Sequence, residues 1–155
     1  MTEIETRLQQ RGLTLPKAAP PAANYVPYVL SGNMLYIAGQ TPYLDGVELG
    51  IGKLGNNMGI EDGQKAAELC ALNILAQVMA AVGGDESRIV RCVKMTGFVN
   101  STPDFGQHPA VMNGASNLMV DVLGERGKHA RAAVGAPSLP FGVSVEVDAV
   151  FEIKP

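Results

Sequence analysis

With 155 residues, 46% of them hydrophobic and 17% charged, the chain can bury one sizeable core but is too short for two ordinary domains. Its formal charge of −3 gives no overall basic field for a phosphate backbone, which disfavours general nucleic-acid binding. Cys70 and Cys92 stand far apart in apolar runs with no CxxC or metal-ligand spacing, a pattern of buried thiols in a reducing compartment, not of a disulfide framework or a zinc site.

The opening TEIETRLQQRG predicts a short amphipathic helix through Ile4 and Leu8, closed by Gly12. It lacks the uncharged apolar run of a secretory signal or membrane span, so the expectation is a cytoplasmic protein with no membrane association. LPKAAPPAANYVP then breaks regular structure, because its prolines fix the backbone and lack amide donors. Residues 1–27 therefore read as a helix and an ordered proline-rich arm within a single domain spanning 1–155. MLYIAG, residues 34–39, predicts a strand, and YLDGVEL a small hairpin turning at Asp45 and Gly46.

From about Glu61 to Val82 the spacing predicts a long helix, stopped by Gly83 and Gly84. Its first turns carry Glu61, Gln64, Lys65 and Glu68 on one side, while its later turns are nearly all apolar and need cover. RIVRCVKMTGFV, residues 88–99, is the next strand. PAVMNGASNLMVDVLGERG places Val111, Ala115, Leu118, Met119, Val122 and Leu123 at helical spacing behind Pro109. The last strand is VSVEVDAVFEI, with Val143, Val145, Val147, Ala149, Phe151 and Ile153 on one face.

This order predicts an α/β or α+β domain with two long helices on one face of a sheet. Yet MLYIAG is apolar on both faces, Met34 and Tyr36 opposing Leu35 and Ile37. A sheet apolar on both sides and roofed on one implies association with further copies of the chain.

GIGKLG, residues 50–55, has the GxGxxG spacing of dinucleotide-binding loops, but no solid strand precedes it and NNMGI separates it from the helix. It reads as a turn-rich loop near a ligand cleft. His108 and His129 sit at no metal or triad spacing, and no GxSxG offers an activated nucleophile. His108 precedes a proline at a helix start; His129 is close enough to Arg131 to border a site. Arg131 enters a small-residue loop, after which no positive charge follows until Lys154. Isolated arginines, and strand acids such as Glu146 and Asp148, ordinarily face water. The alternation puts Glu146 opposite Val145 and Val147, hence on the side away from the helices if those valines face them.

Several segments in one order carry a resemblance: NYVPYV, IAGQTP, LNILAQVMAAVGG, GFVNSTPDF, NGASNL and HARAAVGAPSLPFGVSVEVDAVFEI. Together they resemble the reactive intermediate deaminase (Rid) family, also labelled L-PSP endoribonucleases or translation-initiation inhibitors, over nearly the whole chain from about Leu15. The resemblance implies a chorismate-mutase-like fold and a homotrimer whose sheets form a barrel, with ligand clefts between neighbouring subunits. It implies that Arg131 binds a substrate carboxylate, that Glu146 positions water, and that Tyr28, Asn113 and Gly39 line the site. Ala133 stands where many members carry a cysteine, and Ala38 where a serine is common before Gly39 and Gln40. A backbone carbonyl near Ala133 is left to orient the water.

The reaction so implied is hydrolysis of a 2-imino acid, formed from an enamine, to a 2-oxo acid and ammonia, without metal or organic cofactor. A planar guanidinium suits it by gripping a carboxylate through two parallel hydrogen bonds. Ala133 also leaves open a non-catalytic module that binds a small carboxylate such as a 2-oxo acid. RNA cleavage, the older label, is disfavoured by the acidic balance and by the lack of a general-acid histidine pair.

Overall fold

A computed structural model describes residues 1–20 and 23–155, so Pro21 and Ala22 of the proline-rich arm lie outside the described residues. Helix α1 (Glu3–Gln10) opens on a capping box: the Thr2 hydroxyl accepts from the Glu5 amide at 3.1 Å, while the Glu5 carboxylate accepts from the Thr2 amide at 2.7 Å. Ile4 and Leu8 are buried, and the chain reverses at Gly12 with φ +73°, as the sequence indicates.

Helix α2 (Ile60–Ala81) is followed by Gly83 and Gly84, both at positive φ, where a helix stops readily. Residues Cys70 to Met79 are ten consecutive buried positions. The sheet and helix α3 (His108–Leu123) cover the apolar ones. The two amides in the run are satisfied by the remaining neighbours: Asn73 donates to the Thr41 and Tyr43 carbonyls at 3.0 and 2.8 Å, and Gln77 to Ala19 in the arm at 2.8 Å. The crowded point between the two helices is Gly114. A Cβ there would lie 2.1 Å from the Gln64 carbonyl oxygen, a backbone atom that cannot swing aside. We expect Gly114→Ala to destabilise the fold by roughly 2–3 kcal/mol, read as a lower urea midpoint at unchanged slope.

The main sheet runs β1 (Tyr28–Ser31), β2 (Met34–Gln40), β7 (Val145–Ile153), β5 (Ile89–Asn100), β6 (Ala130–Ala136). All pairs are antiparallel except β5–β6, which α3 joins as a parallel crossover. Strands β3 (Tyr43–Leu44) and β4 (Val47–Glu48) form the expected hairpin, with Asp45 and Gly46 both at positive φ.

Two segments differ from the sequence reading. The small-residue loop expected at Arg131 is strand β6: seven residues of mostly alanine and glycine have weak strand preference, but the parallel ladder to β5 overrides it. Tyr28, expected in the arm, begins the edge strand β1.

One face of the sheet packs under α2 and α3 through Leu35, Ile37, Met95, Val99, Val145, Val147, Ala149, Phe151 and Ile153, all buried. The opposite face presents Val29, Tyr36 and Val134, each between 44% and 52% exposed, with Glu146 and Asp148 among them. Cys70 and Cys92 are free and buried in the core, and burial pushes the Cys92 thiol up to about 12.

Candidate functional site

Arg131 is set by the β5–β6 register. It pairs with Met95, a residue whose side chain goes under the helices, so Arg131 faces the helix side of the edge strand. There α3 meets it: Arg131 Nη1 donates to Asn113 Oδ1 at 2.9 Å and to Ser116 Oγ at 3.2 Å. Behind Ser116 stands His129, with Nδ1 2.6 Å from the Gly127 carbonyl and Nε2 2.9 Å from Ser116 Oγ. A carbonyl only accepts, so Nδ1 carries the proton. In the neutral ring Nε2 accepts from the Ser116 hydroxyl, whose oxygen accepts from Arg131. The chain of bonds fixes one nitrogen of the guanidinium. The Nε–Nη2 edge, the fork that grips a carboxylate, has no hydrogen-bond or ion-pair partner among the described residues.

Glu146 belongs to the other face. It pairs with Phe98 on β5, and Phe98 pairs with Val134 on β6, so all three point away from the helices. Its carboxylate lies against the irregularity in β2 between Ile37 and Gln40, where a Cβ on Gly39 would come within 3.0 Å of Glu146 Cδ. Glycine here lets the backbone approach the acid. The cavity over this point, about 440 Å³, is lined by Gly39, Glu146, Glu48, Tyr25, Phe141 and neighbouring residues of the arm and hairpin. Burial raises the Glu146 carboxyl above its ordinary value, and the charges of Asp148 and Glu48 push the same way. Phe141, 69% exposed, holds φ +61°, a strained position for a bulky residue at the cavity rim.

The structure thus brings Arg131 and Asn113 together, and separately Gly39 and Glu146. The two pairs stand on opposite faces of the sheet with β5 between their strands, so within one chain they do not converge. Ala133 pairs with Gly97 and shares the Arg131 face. Tyr28 pairs with Ile37 and packs on the core, away from the Glu146 cavity, which Tyr25 lines instead. Tyr25, Glu48 and Ser116 were not singled out in the sequence: none has a spacing signal, and each reaches its place through a tertiary contact. GIGKLG is a turn-rich loop with Gly50, Gly52 and Gly55 at positive φ, and α2 starts only at Ile60. Among the described residues no group of three or more His, Cys, Asp or Glu is placed to hold a metal.

Fold and site together define a mixed α+β domain that carries, at a sheet edge, a guanidinium fork with no partner among the described residues, and a half-buried carboxylate on its uncovered face. The family model described as "YjgF/chorismate_mutase-like, putative endoribonuclease" matches residues 5–152, and the chain belongs to that family. The solved protein Atu1372 of Agrobacterium tumefaciens, of unknown function, is 54% identical with a TM-score of 0.93, over 98% of this chain and 93% of its own. Protein TCP17 of Trypanosoma cruzi is 48% identical over 152 residues, 97% of this chain and 94% of that protein. The crystal structure of RidA from an Antarctic Psychrobacter is 29% identical with a TM-score of 0.58, over 88% of this chain and 94% of that one. Among the described residues no helix is long and apolar enough to cross a membrane.

Proposed function

We propose that the protein hydrolyses reactive 2-imino acids to 2-oxo acids and ammonia, in clefts where the Arg131 edge of one copy meets the Glu146 face of another. The observation that carries this reading is the free Nε–Nη2 fork of Arg131, held from behind by Asn113 and Ser116. Such a fork takes a carboxylate through two parallel bonds and so fixes the adjacent C=N carbon. The exposed apolar residues Val29, Tyr36 and Val134 around Glu146 support self-association through that face, and a homotrimer is the assembly we propose.

In the closed cleft Glu146 takes a proton from water as the water oxygen bonds to the C=N carbon, the π pair moves to nitrogen, and Glu146 hands that proton on to the nitrogen. The resulting carbinolamine loses ammonia as its hydroxyl becomes the carbonyl. A carboxyl raised by burial is better matched to this exchange near neutral pH than an ordinary one. The backbone carbonyl at Ala133 replaces the cysteine in orienting water, and no cofactor takes part. We place the activity in the cytoplasm, where Cys70 and Cys92 remain thiols.

The test is ammonia release from imino acids generated in place by an amino-acid oxidase. The purified protein should accelerate release over the buffer rate; no acceleration across a panel of side chains would exclude the activity. Ala133 favours one other reading, a module that binds 2-oxo acids without turnover, which would show as saturable binding by calorimetry with no ammonia released.

A further inference from the structure

At the C-terminal ends of β5 and β6 lies a second cavity, of about 430 Å³, that shares no lining residue with the one over Glu146. Into it the turn-rich GIGKLG loop delivers Lys53. Its ammonium donates to Asn100 Oδ1 at 2.7 Å and to the Pro137 carbonyl. Asn100 is only 5% exposed, and its Nδ2 donates to the Gly52 and Val143 carbonyls at 3.2 and 3.1 Å, which turns Oδ1 toward the lysine. Both acceptors of Lys53 are neutral, and no carboxylate pairs with it among the described residues. Among the described residues its positive charge has no carboxylate within ion-pair distance, and one of its three donors is unused.

Beside it, Ser101 is 6% exposed with Oγ 3.2 Å from His108 Nε2. Gly135 borders both: a Cβ at that position would stand 2.7 Å from His108 Nε2 and 2.9 Å from Ser101 Oγ. Any other residue would wedge the pair apart. A cation, a hydroxyl and an imidazole from three separate segments therefore line one cavity, and a glycine keeps room for them. When the imidazole is protonated, Nε2–H donates to Ser101 Oγ and frees the hydroxyl proton for a ligand.

We propose that this cavity binds a phosphate group, carried by free phosphate or by a phosphate monoester. Lys53, Ser101 and His108 match the three free oxygens of a monoester, whereas a carboxylate has two. The assignment is independent of the deaminase reading, since Arg131 and Glu146 take no part.

The full-length protein should be titrated with inorganic phosphate, phenyl phosphate and acetate at constant ionic strength, followed by calorimetry and by amide shifts. The expected result is saturable binding of phosphate that moves the Ser101, His108 and Gly135 resonances. Equal affinity for the two phosphates points to free phosphate as sufficient, and tighter phenyl phosphate to an ester; either supports the site. Lys53→Gln should weaken binding by roughly tenfold or more, as loss of a charge-assisted hydrogen bond does, and His108→Gln should weaken it without touching the lysine tether. Lys53→Arg keeps charge and tether and should still bind, which separates loss of the site from loss of the fold. Arg131→Ala should bind phosphate normally. Absence of saturation, acetate binding as tightly as phosphate, or affinity unchanged in both Lys53→Gln and His108→Gln would overturn the proposal.

Discussion

Replacing Arg131 by alanine is expected to lower kcat/KM for imino acid hydrolysis by roughly a hundredfold or more, because two charge-assisted hydrogen bonds to the substrate carboxylate disappear together. Lysine at the same position should restore only part of the rate. It supplies charge but not the planar fork, and it cannot hold the Asn113 and Ser116 contacts while presenting two parallel donors. Ser116→Ala should act more weakly and on KM, since it loosens one nitrogen of the guanidinium and leaves the carboxylate-binding edge in place. Steady-state kinetics on the three variants, with circular dichroism to verify folding, decide the matter. An Arg131→Ala enzyme with the wild-type kcat/KM would remove this residue from the site.

Glu146→Gln should separate activity from stability. In the folded chain the carboxyl is raised by burial and by the charges of Asp148 and Glu48. An acid raised in the folded state destabilises the fold wherever it is ionised there: the penalty is absent below the ordinary value near 4.5, grows as pH rises through the folded value, and is constant above it. The amide carries no such penalty. Calorimetry should therefore show a higher Tm for Glu146→Gln than for wild type in mildly alkaline buffer, with the difference closing as pH falls toward the ordinary carboxylate value. Hydrolysis should meanwhile fall on the order of a hundredfold, the usual scale for loss of a positioned base. A lower Tm at alkaline pH would instead make Glu146 a structural anchor of the β2 irregularity.

The two outcomes probe opposite faces of one sheet, and this shapes how much could be read beforehand. Hydrophobic period located α2 and the last strand to within a residue or two, because each buries one continuous face and the pattern repeats along it; α3, read through Gly127, stops at Leu123, where Gly124 takes positive φ. The same alternation placed Glu146 opposite Val145 and Val147, on the uncovered side, as the register confirms. Strand β6 was not legible. ARAAVGA carries no alternating apolar face, since its cover comes from α3 on one side and its backbone partners from β5, neither of which is local.

The sequence by itself determined the fold class, the family, and the presence of an isolated arginine and a strand glutamate, since these depend on residue types and local spacing. Alternation with Val145 and Val147 indicated the side on which Glu146 lies, but only the tertiary structure decided which way Arg131 points. The parallel β5–β6 register turned Arg131 under α3, and the antiparallel β5–β7 register turned Glu146 to the open face. Registers are set by long-range pairing, and a one-residue slip of β6 would exchange its faces, so no reading of local pattern could put Arg131 on the face opposite Glu146.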